Sequence, residues 1–452
     1  PSDYVKDPRP TPPDEGAHVG YIDYLARQHA LPPFRSQTDI YEAHQPPLYY
    51  LSSVPAHLLG ITLDPEGKTG RGTLMLRLWS VLLAGLGVWI AWLLGRLVFG
   101  KDTLLSLAPA LFLALWPGRT MIVSAVTNDA LADSLCLLTF YLCLLIVSAG
   151  LTRRSALLVG TAWALALLTK STSLALGPVV LLAILMRAVA DDPEHQAAAL
   201  KRALLNLLLA ALPVVAIAGW WFVRNQMLYG DPLAAKIFEQ LFSKDRATPD
   251  FFFKLGLSGG AYFTLVVVNT ALSFWGVFGQ ANVYQPLGYY LTGFAVWAAA
   301  LGGLVAQKLR DAQAVKHKGW HGPSSGHADA APKRGPKSDR AATGKGTPSP
   351  ATEVPDWRRQ AWFLSCLLLV AVVVFFLRFN TTFYQAQARY LFAASGPIVL
   401  LLTLGLWDLH RARYGQWAVA VALLVMLAMS LSSVFGFAAV AAAHHPPPLF
   451  GG

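Results

Sequence analysis

The sequence predicts an all-α polytopic membrane protein, on three observations. Of its 452 residues, 55% are hydrophobic and only 13% are charged, with a mean hydropathy of +0.46; a soluble domain carries about 25% charge. Several apolar runs approach or exceed the roughly 20 residues a helix needs to cross a bilayer. The alternating pattern of about ten residues per strand that marks a porin-like barrel is missing. The net charge of +11 would suit a nucleic-acid partner, but the basic residues sit in short connectors and one polar insert, as positive-inside topology requires. No nucleic acid is therefore expected. Cys136, Cys143 and Cys366 all fall in apolar runs and read as packing residues rather than metal ligands or disulfides.

Taken in order, residues 1–71 are polar, proline-rich and aromatic and read as a first extracytoplasmic loop with juxtamembrane helices. Ten spans follow, at about 73–98, 103–117, 129–149, 155–169, 172–188, 203–222, 286–306, 359–377, 390–407 and 416–440. The first six and the seventh make a transmembrane bundle over 72–307, interrupted by an extracytoplasmic loop at 223–285. The last three form a C-terminal set over 359–452. Between these two sets, 308–358 is rich in Gly, Pro, Ser and Lys and is expected to be a disordered cytoplasmic loop.

Connectors of two kinds alternate. Lys101, Arg153, Arg154, the 187–202 stretch, 308–358, Arg411 and Arg413 mark the cytoplasmic side. Residues 1–71, 118–128, 170–171, 223–285 and 378–389 then face the other side. This places the protein in the plasma membrane with its chemistry on the extracytoplasmic face. The same alternation expects one span before Pro1, eleven in the intact protein and ten here. The apolar part of 259–285 would invert all later topology if it crossed the membrane, so it reads as an interfacial or re-entrant helix.

The polar residues with chemical potential all fall on the extracytoplasmic side. PTPPDEGAHVGYIDYLARQHALP holds Asp14, Glu15 and His18, and YEAHQPPLYYL holds His44. Asp14 has two compatible readings, the N-cap of an amphipathic helix and a general base. His18 lies one turn further on the same face. His44 serves either the backbone before a Pro-started helix or the site. Asp129, after Asn128, is a helix cap or a second acid. Lys170 interrupts the apolar WALALLTKSTSLALG, a costly position unless it reaches water, a partner or a ligand. Arg224, Arg378 and Arg389 join Lys170 against the cytoplasmic bias of basic residues, which points to a phosphate partner. Trp220 and Trp221 flank Arg224 in GWWFVRNQMLYGDP. His18, His44 and the carboxylates could together hold a metal, but neither HExxH nor a Cys/His spacing is present, and no metal site is assigned.

Several stretches resemble the GT-C superfamily of polyprenyl-phosphate-sugar-dependent glycosyltransferases. The similarity is greatest to family 39, the protein O-mannosyltransferases and lipid A aminoarabinose transferases. The matching pieces are PDEGAHVGYIDYLA, HQPPLYYL, VTNDALADSL, ALALLTKSTSLAL, GWWFVRNQMLYGDPL, SFWGVFGQ and ARYLFAASGPIVLLL, in family order over roughly 12–406. The resemblance implies a GT-C-like helix bundle and an inverting single-displacement transfer from a polyprenyl-phosphate-linked sugar. The acceptor is a hydroxyl of a lipid, glycan or protein. It implies Asp14 as base with Glu15 beside it, and Asp129 as the acid of a second loop. Lys170 and Arg389 would lie near the donor phosphate, with Arg224 and Arg378 supporting them. Tyr21, His18, His44, Asn128, Trp220, Trp221 and Trp275 would line the substrate pocket. The resemblance assigns no certain cofactor and leaves a divalent cation possible: some relatives use one, and most family 39 members do not. The insert 308–358 is not a family signature. The alternative class is a transporter or flippase of a lipid-linked anion, which would favour inverted repeats; none is evident. A third class, a non-catalytic scaffold, would have no use for Asp14.

Overall fold

The computed structural model describes residues 12–37, 39–65, 70–243, 247–279, 282–319, 356–409 and 414–444. Among these, every extended element is helical apart from one isolated bridge between Phe278 and Val283. In chain order the helices are α1 (Glu15–Gln28), α2 (Leu48–Leu63), α3 (Arg71–Phe99), α4 (Thr103–Ala114), α5 (Pro117–Val123) and α6 (Asp129–Ala149). They continue with α7 (Arg153–Leu167), α8 (Gly177–Asp191), α9 (Gln196–Pro213), α10 (Trp220–Tyr229), α11 (Ala235–Phe242) and α12 (Pro249–Lys254). The last five are α13 (Gly259–Trp275), α14 (Leu287–Gly319), α15 (Asp356–Asn380), α16 (Ser395–Asp408) and α17 (Gly415–His444). Short 3-10 turns precede α2, α8 and α16, at Tyr41–His44, Ser171–Leu176 and Ala388–Ala394.

Eight helices among the described residues are long and apolar enough to cross a membrane, and nine if the α4–α5 pair is one broken span. The ten expected spans are thus reduced at two places. The 103–117 span is not one straight helix. Pro117 starts a new helix, since proline fits the first turn but not a helix interior, and α5 leaves α4 at 59°. The 155–169 span becomes α7, which is 15 residues long and at 1.5 Å per residue falls short of a hydrocarbon core about 30 Å thick. The expected 203–222 span is longer than predicted. It runs as Gln196–Tyr229 through a π-helical segment at Val214–Gly219, just after Pro213. The helix from Leu287 also passes its expected end at 306 and reaches Gly319, because Ala, Gln, Leu, Lys and Arg sustain a helix beyond the apolar part. Of the rest of the expected disordered loop, 320–355 lies outside the described residues and 356–358 is helical, as the start of α15. The apolar part of 259–285 forms α13, a helix of 17 residues.

Small side chains bring the spans together. On α3 the inward stripe is Ser80, Ala84, Gly87, Ala91 and Gly95, which lets neighbouring backbones approach. Its outward face shows Leu74, Leu78, Leu82 and Trp89. Apolar side chains on that face suit acyl chains. α17 does the same with Trp417, Leu424 and Phe435. α6 is the central helix, with 78% of its span buried by protein. At one end of the bundle the chain adds α1, α2, α5 and the three 3-10 turns, and these carry the polar cluster described next.

Candidate functional site

Two adjacent acids start α1, and they point to different partners. Asp14 occupies the N-cap position in the left-handed region, φ 61° and ψ 2°, where Asp is among the few side chains tolerated. The expected side-chain cap is not made. Instead Asp14 Oδ2 accepts a hydrogen bond from Arg389 Nη2 at 2.6 Å, across 375 residues of sequence. A left-handed non-glycine residue costs on the order of 1 kcal/mol and needs its surroundings to hold it; the Arg389 bond does so here. Glu15 turns toward α3. Its carboxylate accepts from Arg77 Nε at 2.8 Å and Nη2 at 2.6 Å, and from the Val126 amide at 3.0 Å. Glu15 therefore ties α1 to α3 and to the loop before α6, which leaves Asp14 the better placed of the two to meet a substrate.

The second acid and the second cation form another pair. Asp129 opens α6 and faces Lys170 Nζ at 2.5 Å. Asp129 does not act as the N-cap, which is Asn128, but a carboxylate in the first turn suits the helix dipole. Lys170 follows the end of α7 in extended backbone and is buried. Asn128 Nδ2 donates to the Thr169 carbonyl at 3.2 Å, which fixes the loop carrying Lys170. Tyr390 joins the two pairs: Lys170 Nζ lies 5.9 Å and Arg389 Cζ 5.5 Å from its ring centre, within cation–π range. Arg389 Nε is buried and has no hydrogen-bond acceptor among the described residues.

A third layer lies beneath α1. His18 Nδ1 is 2.9 Å from Tyr50 Oη, and Tyr21 stacks on Tyr50 with ring centres 3.9 Å apart. His18 Nε2 is 4.0 Å from Glu42 Oε1. Burial pushes the His18 imidazole down to about 3, only partly offset by the Asp14 carboxylate, so the ring is neutral. His44 is likewise held down to about 3 by burial, packed between Phe34 and Phe238 and engaged by the Tyr41 carbonyl and Gln45. Burial raises the Tyr21 hydroxyl. Among the described residues no group of three or more His, Cys, Asp or Glu is placed to hold a metal ion; His18 and His44 are each committed to other partners.

Other expected site residues stand apart from this cluster. Arg224 packs on the Trp221 ring at 4.9 Å and reaches the Pro32 carbonyl at 3.5 Å. It flanks Tyr21 rather than the two acid–cation pairs. Trp221 is buried against Leu167 and Leu168 just below Lys170, whereas Trp220 is 43% exposed and faces outward. Arg378 is exposed and donates to Thr381 and Thr382 at the end of its own helix. Trp275 is buried among Phe274 and Trp297, and its carbonyl accepts from Tyr289. It lines the support of the site rather than the cluster.

Glu42, Gln45, Tyr50, Tyr390 and the pair Arg119–Asp133 are not among the site residues expected from the sequence. The first three were within a stretch already singled out, where a Glu two residues before His44 was the available signal.

Beside Arg389 runs a cleft lined by Pro13, Gly118, Met121, Ser273 and Gln387. On its wall, a Cβ added at Gly118 would collide with the Ser273 and Phe274 carbonyls at the end of α13. Gly118→Ala is expected to cost about 1–3 kcal/mol, as overpacking does. Thermal unfolding in detergent measures this, and an unchanged transition would show that α5 shifts freely.

The comparisons agree with this architecture. Residues 69–221 match the family model described as dolichyl-phosphate-mannose-protein mannosyltransferase. No curated protein matches the chain by sequence. The fold superposes on that of ArnT from Cupriavidus metallidurans over 96% of this chain. In the apo state the TM-score is 0.52, at 14% identity over 96% of this chain and 72% of ArnT. In the crystal structure of ArnT bound to undecaprenyl phosphate it is 0.50, with the same identity and coverage. The family match carries the glycosyltransferase resemblance over α3 to α9, and the superposition shows that the chain shares the ArnT fold.

Proposed function

We propose that the chain is an inverting membrane glycosyltransferase that moves a sugar from a polyprenyl-phosphate donor to an acceptor hydroxyl, with Asp14 as general base. The observation that carries this reading is the contact of Asp14 with Arg389 inside a buried cluster that also holds Lys170 and Asp129. A base and the cations a phosphate needs are thus in direct contact. Lys170 and Arg389 would bind the donor phosphate, and Arg389 Nε still has a hydrogen bond to give. Undecaprenyl phosphate is a ligand of ArnT, and its fold is shared here.

The charge balance of the step favours the same residues. The acceptor oxygen attacks the anomeric carbon and its proton passes to Asp14. The bond from that carbon to the phosphate oxygen breaks, and its electron pair leaves with the phosphate, which gains one negative charge. Asp14 has meanwhile become neutral and releases Arg389 from its ion pair. The guanidinium is then available where charge builds up, the condition for electrostatic transition-state stabilisation. Attack opposite to departure inverts the sugar. The site lies at the end of the bundle away from Lys101, Arg153 and Arg154, which by charge bias is the extracytoplasmic face.

Lys170→Gln should weaken polyprenyl-phosphate binding on the order of 10–100-fold, the loss of one or two charge-assisted contacts. Native mass spectrometry in lipid nanodiscs reads this directly, with thermal unfolding run alongside to confirm the fold. A well-folded variant that binds as tightly as the parent would remove Lys170 from the donor site.

A further inference from the structure

Glu42 is a buried acid that the transfer step above does not use. It sits in the 3-10 turn Tyr41–His44, is only 5% exposed, and makes no side-chain hydrogen bond among the described residues. The titratable and charged groups that act on it are Asp14, His18 and Tyr21 on α1, Tyr50 on α2, Asp129 on α6, Lys170 after α7 and Arg389 before α16.

The charges of that set are already balanced. Arg389 pairs with Asp14 and Lys170 pairs with Asp129. His18, whose Nε2 lies 4.0 Å from Glu42 Oε1, is neutral. A third carboxylate would therefore be buried with no cation of its own, a state that a protein avoids by keeping the proton. Burial first, and then the Asp14 carboxylate, push the Glu42 carboxyl up to about 8, against the opposite pull of Arg389 and Lys170. A neutral carboxylic acid is a hydrogen-bond donor. Nothing described around Glu42 takes that donor, and the anion expected beside it is a phosphate.

We propose that Glu42 is a phosphate-binding residue, held as the neutral acid so that it donates a hydrogen bond to an oxygen of the lipid phosphate gathered by Lys170 and Arg389. The inference rests on the donor site proposed above. It adds a proton-dependent element: loss of the Glu42 proton removes the donor and sets a negative charge against the phosphate. The acid is intact at pH 7 and mostly lost by pH 9, so binding should weaken as pH rises through about 8 and be stronger on the acid side of it.

The test measures polyprenyl phosphate binding in nanodiscs between pH 7 and pH 9.5, above the second ionisation of a phosphate monoester at about 6. The full chain should bind about tenfold more weakly at pH 9 than at pH 7, since affinity scales with the protonated fraction. Glu42→Gln keeps a neutral donor, so its binding should stay near the pH 7 value across the range. Glu42→Ala should be weaker at pH 7 and equally flat. Phosphate-free polyprenol should show no such pH dependence with any of the three. If Glu42→Gln falls with pH as the parent does, or if polyprenol reproduces the fall, Glu42 does not hold the phosphate, while the donor site itself stands. If the parent binds polyprenyl phosphate no better than polyprenol at any pH, the donor site fails and Glu42's assignment fails with it.

Discussion

An Asp14→Asn enzyme is expected to transfer sugar on the order of 10²–10⁴-fold more slowly than the parent, the range a positioned general base supplies. Asn keeps the shape of the side chain and is itself at ease in the left-handed region that Asp14 occupies, so the start of α1 should survive. The amide cannot take the acceptor's proton. Nor does it hold Arg389 by charge, so the guanidinium is free for phosphate before any reaction. Donor binding should therefore be equal or tighter while turnover collapses. That split separates the enzyme from a transporter of a lipid-linked anion, which would go on moving substrate in this variant. It also separates Asp14 from Glu15, whose fork onto Arg77 and bond to Val126 hold α1 in place. Glu15→Gln should lower stability and turnover together. The measurement is transfer per mole of protein in membranes that supply their own donor and acceptor, with lipid-phosphate binding in parallel. Turnover of Asp14→Asn within threefold of the parent would end the assignment of this residue as base.

Much of this arrangement was legible in the sequence because charge is costly in an apolar setting. Lys170 in ALALLTKSTSLAL stands out for that reason alone, and Arg389 because it is a cation on the side where basic residues are sparse. Asp14 and Asp129 stand out because each opens a helix after a turn. The pairing was not legible. Asp14 finds Arg389 375 residues away, and Lys170 finds Asp129 41 residues back; no periodicity links such positions. Nothing in the sequence marked Glu42 as buried; it is a buried acid only through the folded packing of the Tyr41–His44 turn against α1. Trp220 and Trp221 show a limit of a different kind. Neighbours on a helix point about 100° apart, and the π-helical segment at Val214–Gly219 shifts the phase of everything after it. Sequence spacing could not say that Trp221 faces in and Trp220 out. Span counting failed for a similar reason: hydropathy registers apolar length, and neither the break at Leu115–Pro117 nor the shortness of α7 alters it.

The other large effect concerns the base of the site. α5 has seven residues and would not hold a helix alone. It is anchored by Arg119, one of the largest fully buried side chains in the chain. Arg119 donates to Asp133 Oδ2 through Nε at 2.8 Å and Nη2 at 2.5 Å, and the two side chains are 2% and 0% exposed. Asp133 lies one turn beyond Asp129 on α6, so this pair sets α5 against the helix that presents the second acid. It also holds the Gly118 wall of the cleft beside Arg389. Removing one partner leaves a buried charge uncompensated, which costs about 3–5 kcal/mol, whereas replacing both by apolar side chains of similar volume is near neutral. Arg119→Met should therefore lower stability by that amount and strip the protein of transfer activity. Arg119→Met combined with Asp133→Leu should recover most of the stability. Transfer should return only in part, because an apolar contact holds α5 with less directional control than a two-point ion pair. Unfolding in detergent measures the first effect and transfer assays the second. An Arg119→Met protein as stable as its parent would mean that α5 is kept by its packing on α13 and the Ala388–Ala394 turn alone. A double variant with full activity would mean that the geometry of the site does not depend on the charge beneath it.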